Sequence, residues 1–262
     1  MFRNLFKPKA KPAAASTGGR LVYAVGDVHG HLDALEPLIL ILAEDALASQ
    51  PAERPMLIFV GDYVDRGPAS AGVVERILGL MRETAFEVRT LKGNHEEALL
   101  QFLEEPSFGA TWADFGGNTT LASYGVQPPA QRTDTEAWIK ASEALAEALP
   151  AEHLDFYRNL ELMIEVGDYA FVHAGVRPGV PLSRQSEKDL IWIRQEFLTA
   201  PGRFEKIIVH GHTPMEEPQV LPARIGIDTG VYATGVLTAV RLDDSGPRIL
   251  QARARRAAAA EG

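Results

Sequence analysis

Three short apolar runs, "LVYAV" at 21–25, "MLIFV" at 56–60 and "FEVRTL" at 86–91, set the rhythm of the first hundred residues. Short runs rich in β-branched and aromatic residues predict strands. Each is followed by a polar loop, "GDVHG", "GDYVDRGP" or "KGNHE". Each loop then gives way to a stretch of good helix formers: "LDALEPLILILAEDAL", "ASAGVVERILGLMRE" and "EALLQFLEE". Pro37 falls inside the first of these, where it removes a backbone donor. Strand, loop and helix three times in succession predict an α/β arrangement, a parallel sheet covered by helices. Ligands of such sheets gather at the carboxyl ends of the strands, where the three loops converge.

The second half repeats the theme. "DYAFVHAG" at 168–175 predicts a strand leading to His173, and "KIIVHGHTP" at 206–214 another leading to His210 and His212. Residues 210 and 212 share a face of an extended chain, and the intervening glycine permits a turn, so the pattern alone selects neither. The ends read differently. Residues 1–19 are basic and dominated by Lys, Pro, Ala, Ser and Gly, and 253–262 read "RARRAAAAEG"; both are expected to be unpacked tails around a domain at 20–252.

Composition narrows the classes. At 262 residues, 46% apolar and 23% charged, the chain has the profile of an ordinary globular protein. A net charge of −9 argues against nucleic acid as a partner. No stretch is long enough to span a bilayer, and the N-terminus lacks the apolar run of about seven residues that a secretory signal needs. Stable membrane insertion is therefore not expected. There is no cysteine. That fits a cytoplasmic location and leaves His, Asp, Glu and Asn as metal ligands.

The candidate chemistry sits in the three loops. Each presents Asp or Asn directly after Gly: Asp27, Asp62 and Asn94. Glycine is expected to let the backbone bend there. Carboxylates gathered at one sheet edge repel unless cations neutralise them. Helix capping would explain the Asp and Asn positions. It leaves His29, His95, Asp65 and Arg66 unexplained, so metal binding is the favoured reading. His31 and His153 are read as surface residues, and Glu96 and Glu97 as acidic partners of a helix N-terminus.

"GDVHG", "GDYVDRG", "GNHE", "FVHAG" and "VHGHTP", in that order over about residues 21–240, resemble the signature of the calcineurin-like metallophosphoesterases. Within them they are most similar to the bacterial branch of PPP-type serine/threonine phosphatases. The resemblance implies a β-sandwich flanked by helices, four layers in the order αββα. It implies two divalent ions, with Mn favoured and Fe, Zn or Co admissible. Asp27 and His29 would hold the first, Asp62 would bridge both, and Asn94, His173 and His212 would hold the second. His210 is left as a strand residue or an outer group. Such a pair of ions activates water, so no protein nucleophile is required. His95 would protonate the leaving group, oriented by Asp65, while Arg66 grips the phosphate oxygens. "DLIWIRQEF" resembles the branch's Trp-x-Arg segment, which adds Arg194 as a second phosphate contact.

Residues 106–160 depart from the eukaryotic pattern and are expected to form a helical cap insertion that shapes access. Trp112, Phe115 and Tyr124 there would stack on substrate or build the insertion's own core. "GDYVDRG" and "GNHE" favour a phosphatase acting on phosphoserine or phosphothreonine, with phosphotyrosine admitted. The alternatives are a symmetrical dinucleoside polyphosphate (diadenosine tetraphosphate) hydrolase or a broad-specificity phosphodiesterase acting on a small phosphoester. A non-catalytic binding scaffold is the remaining class, disfavoured because every motif position is filled.

Overall fold

Alternation along the first strand, β1 (Val22–Val25), dictates the layering. The computed structural model describes residues 15–254. All four β1 side chains are fully buried, with Val22 and Ala24 on one face and Tyr23 and Val25 on the other. A strand buried on both faces needs a layer on each side. β1 pairs in parallel with β2 (Met56–Phe59), and β2 with β3 (Glu87–Thr90). The crossovers are α1 (Leu32–Ser49) and α2 (Ser70–Arg82), and α3 (Asn94–Glu104) follows β3. The three predicted strand, loop and helix units are therefore present. Pro37 lies in α1 without ending it.

The chain then forms α4 (Gly109–Asp114), α5 (Gly117–Ser123), α6 (Thr135–Ala148) and α7 (Ala151–Arg158). A second sheet contains β4 (Ile164–Val166), β5 (Tyr169–Phe171), β6 (Ile207–His210), β7 (Gln219–Val220) and β8 (Arg224–Gly226), in the spatial order β4-β5-β6-β8-β7. The short helices α8 (Glu187–Trp192) and α9 (Gln195–Leu198) lie between β5 and β6 in the chain. After α10 (Val231–Thr234), the strands β9 (Val236–Leu242) and β10 (Arg248–Arg253) return to the first sheet. They extend it antiparallel from β1.

Three apolar clusters cement the layers. Val22, Ala24, Ile58 and Val240 of the first sheet pack on Phe171, Val209 and Ile225 of the second. Leu35, Leu38, Val73 and Leu99 of α1 to α3 cover Tyr23 and Phe59 on the outer face. Ile191 and Phe197 of α8 and α9 cover Ala170 and Ile208 on the other side. The result is the expected αββα sandwich. Helices α4 to α7 join the first helical layer, since Trp112, Trp138, Leu145 and Phe156 share one cluster with Phe102 of α3.

Three expectations are corrected. The N-terminal tail does not reach residue 19. Thr17 is buried, the Ser16 backbone N–H donates to Asp168 Oδ2 at 2.9 Å, and the Thr17 N–H donates to Asp244 Oδ1 at 3.1 Å. Two aspartates distant in sequence fasten it. At the other end Arg253 pairs with Val236. Residues 1–14 and 255–262 lie outside the described residues. His153 is not a surface residue: it is buried in α7 between Tyr124 Oη, 2.8 Å from Nδ1, and Glu75 Oε2, 3.2 Å from Nε2. His31, expected at the surface, stands at the N-cap of α1 and is only partly exposed, with both ring nitrogens buried. Among the described residues no helix is long and apolar enough to cross a membrane.

Candidate metal centre

The loops after β1, β2, β3, β5 and β6 meet at one end of the sandwich. They bring together Asp27, His29, Asp62, Asn94, His173 and His212, all buried. Asp62 is the hub. Its Oδ2 lies 3.6 Å from His29 Nε2 and 3.7 Å from His95 Nε2, and its Oδ1 lies 3.4 Å from His173 Nε2. Two donor sets share it: His29, Asp62 and His95, and Asp62, His173 and His212, each with ligand atoms within 4.8 Å of one another. Asp27 is tied to the second set by the His212 backbone N–H, which donates to its carboxylate at 3.0 Å.

The ring orientations fit cations. His29 Nδ1 lies 2.9 Å from the Val64 carbonyl and His173 Nδ1 lies 2.9 Å from the Val60 carbonyl. Each carbonyl accepts that N–H, so each Nε2 presents a lone pair to the centre. His173 Nε2 then faces Asn94 Oδ1 at 3.0 Å and His212 Nδ1 at 3.2 Å. His212 Nε2 is buried with no partner. A lone pair on His173 Nε2 facing the Asn94 amide oxygen is repulsive, and a shared cation relieves it.

The charges are tuned by the same crowding. Burial, then the charges of Asp228 and Asp62, push the Asp27 carboxyl well above its ordinary range. Burial would also raise Asp62, but the imidazoles of His173, His95, His29 and His212 pull it below. Burial depresses His29, His173 and His212 and favours the neutral, ligating form.

The backbone is strained at these positions. Six non-glycine residues have positive φ among those described, and five are His29, Asp62, Asp65, Arg66 and His212. Such conformations persist where surrounding contacts over-determine them, often at functional sites. The loop glycines act differently from expectation. Gly61 does have φ +107°, but Gly93 has φ −95°. Gly93 is needed for close approach, because a Cβ there would sit 2.1 Å from Asp62 Oδ1.

Glu96 explains how the Asp62 loop is held. It is fully buried and accepts the backbone N–H groups of Asp62, Tyr63, Val64 and Gly93 at 2.8–3.3 Å. Its reading as an acidic partner of a helix N-terminus holds, since the Gly93 N–H is that of the α3 N-cap, and the other three donors tie it to the Asp62 loop as well. Burial and the Asp62 charge push its carboxyl up to about 8, against the pull of those donors. Glu96→Ala is expected to lower unfolding free energy by about 2–4 kcal/mol in a denaturant titration, since several buried donors lose their acceptor. An unchanged midpoint would contradict this clamp.

Beside the donor sets stands a dyad. His95 Nδ1 lies 2.7 Å from Asp65 Oδ2, which also accepts the Trp112 indole N–H at 3.0 Å. The Thr120 hydroxyl donates to Asp65 Oδ1 at 2.6 Å. Burial would lower the His95 pKa, but the Asp62 and Asp65 carboxylates raise it above its ordinary value. Trp112 therefore neither stacks on substrate nor merely fills a core: fully buried, it orients Asp65. Phe115 lies 6.0 Å from His95, ring centre to ring centre, and Tyr124 is bonded to His153.

Both arginines reach the centre. Arg66 Nη2 lies 3.4 Å from His95 Nε2. Arg194 lies between α8 and α9, and its Nη1 donates to the His212 carbonyl at 3.1 Å. His210 ends β6 with Phe197 against its ring at 4.9 Å, whereas His212 turns into the centre with φ +64°. Sequence reasoning also missed Asp228, buried beside Asp27, and Tyr232, whose ring carries Arg66 at 4.2 Å. The signal was "GIDTGVY", an Asp after the apolar end of a strand, like the three loops that were noticed.

The calcineurin-like phosphoesterase family model matches residues 21–235. The chain is 27% identical over 237 residues to the asymmetrical bis(5'-nucleosyl)-tetraphosphatase PrpE of Anoxybacillus flavithermus, covering 83% of this chain and 88% of that protein. It is 30% identical over 236 residues to the protein of the same name from Geobacillus sp. strain WCH70, with the same coverage. A crystal structure provisionally described as a diadenosine tetraphosphatase shares the fold, with a TM-score of 0.61 at 22% identity over 93% of this chain and 100% of that one. Motif order, the αββα sandwich and the family match agree, and the chain belongs to the calcineurin-like phosphoesterases.

Proposed function

We propose that this chain hydrolyses dinucleoside polyphosphates into unequal halves, using two divalent cations. The observation that supports hydrolysis is Asp62 shared between two histidine sets, with the His95–Asp65 dyad and Arg66 beside it. The substrate class is supported by the names of relatives that match over 83% of the chain. The phosphoprotein phosphatase reading rested on "GDYVDRG" and "GNHE". Those residues handle the phosphoryl group and not what is attached to it, so they do not select a substrate. The relatives' names also favour asymmetrical over symmetrical scission.

In this reading Asp27, His29 and Asp62 would hold one cation, and Asp62, Asn94, His173 and His212 the other. The bound cations would supply polarisation of the phosphoryl oxygens and activation of water. The protein groups do the rest. Arg66 presents a planar fork that matches two phosphate oxygens, and Arg194 reaches the same centre beside His212. Water oxygen bonds to phosphorus as the adjacent anhydride P–O bond breaks. The leaving phosphate takes the electron pair, His95 Nε2 gives it a proton, and the attacking water loses one to solvent. Asp65, held by Trp112 and Thr120, keeps the His95 ring aimed. Within residues 106–160, Trp112 of α4 and Thr120 of α5 thus brace the dyad.

The test is a comparison of kcat/KM for diadenosine tetraphosphate, a phosphoserine peptide and bis-p-nitrophenyl phosphate under one set of manganese-supplemented conditions. Diadenosine tetraphosphate is expected to lead, with AMP and ATP as products. A phosphopeptide preferred over it, or ADP as the sole product, would overturn the proposal. Arg66→Ala is expected to raise the inhibition constant for inorganic phosphate about 10–100-fold, as loss of a charge-assisted contact implies. An unchanged constant would count against the assigned grip.

A further inference from the structure

Scission into unequal halves breaks the anhydride next to a phosphate that carries a nucleoside, so a nucleobase must lie within one sugar of the reacting centre. One side chain is placed to receive it. Tyr232 is 38% exposed, while its ring lies 4.2 Å from the Arg66 guanidinium carbon and stands nearly perpendicular to His29, centroids 5.4 Å apart. Phe115 and Trp192 also border the histidines, but they are less exposed and pack on each other at 6.0 Å.

The ring is carried on a braced turn. Gly230 at φ +59° and Gly235 at φ +67° bracket the four-residue α10. The Gly230 N–H donates to Asp228 Oδ1 at 2.8 Å, and the Thr234 hydroxyl donates to the Thr229 carbonyl at 2.8 Å. The Thr229 hydroxyl donates in turn to the Val236 carbonyl at 2.8 Å. The guanidinium covers one face of this ring, and an aromatic surface that stays partly exposed beside a polar centre, on a backbone this well fastened, is arranged for contact rather than for packing.

We propose that Tyr232 is the platform on which the base of the nucleotide held at Arg66 stacks. This rests on the substrate reading above and names the residue that distinguishes a nucleotide from other phosphoesters. Every base has a π-face, so such a platform accepts purines and pyrimidines alike. The rival role is that Tyr232 only positions Arg66, in which case it serves all phosphates equally.

Isothermal titration of manganese-loaded protein with AMP and with ribose 5-phosphate separates these, because the two ligands share the phosphate and differ in the base. Wild type and Tyr232→Phe are expected to bind AMP about 10–100-fold more tightly than ribose 5-phosphate, the usual worth of one stacked base. In Tyr232→Leu that ratio is expected to fall to near one. Equal affinities in wild type, or a ratio unchanged by Tyr232→Leu, would overturn the platform. A loss shared equally by both ligands assigns the ring to Arg66 and overturns it too. Hydrolysis of diadenosine tetraphosphate by the same wild-type protein keeps the claims apart. A base preference that collapses in Tyr232→Leu, without hydrolysis, supports the platform and removes the substrate reading; hydrolysis with a ratio of one does the reverse.

Discussion

Asp62→Asn is expected to lose bound metal and catalytic activity together. The carboxylate lies at the overlap of both donor sets, so the substitution removes the charge that each would share. It also keeps nearly the same shape, and the amide oxygen can still accept the His95 backbone N–H that Asp62 Oδ1 now accepts at 3.2 Å. Even outer hydrogen-bond partners of metal ligands are worth about 10–100-fold in affinity, and a shared ligand should exceed that. The expected result is a loss of more than about 100-fold in metal affinity, with kcat/KM falling at least as far. Metal content after dialysis at fixed free manganese, measured beside kinetics, checks both. Full occupancy in the variant would contradict the shared role.

His95→Asn is expected to behave differently, retaining metal while kcat falls by about 10²–10⁴, the usual contribution of a positioned proton donor. Geometry alone also admits His95 as a ligand, since it forms a donor set with His29 and Asp62. One contact argues against that: its Nε2 faces the Arg66 guanidinium at 3.4 Å, a poor neighbour for a second cation. The loss should shrink for a dinitrophenyl ester, whose leaving group departs without a proton. Metal loss in His95→Asn equal to that in Asp62→Asn would return His95 to the ligands.

The sequence made the frame and the polar loops legible for one physical reason. Short apolar strands followed by Gly-Asp or Gly-Asn turns are local patterns, and a parallel sheet brings their ends together. Strand patterns in the second half pointed to His173 and to His210 or His212 across a long separation, and the resemblance chose His212 over His210 where periodicity could not. What stayed hidden depends on tertiary burial. An acidic residue in a first helical turn looks the same whether it is solvated or, like Glu96, clamps a distant loop. Trp112 reads as a core aromatic until its indole N–H is seen on Asp65. Thr17 and His153 look like surface residues until Asp244 and Tyr124 close over them. The loop glycines were noticed for bending, whereas a Cβ at Gly211 would fall 1.9 Å from Asp27 Oδ1, so crowding is the stronger constraint.

In the proposed site Asp62 joins two cation positions built from side chains of five loops. Anomalous X-ray scattering from manganese-soaked crystals of the wild-type chain would locate both. Two peaks are expected to flank Asp62, one beside Asp27 and His29 and one beside Asn94, His173 and His212. A single peak, or peaks that do not touch Asp62, would contradict that sharing.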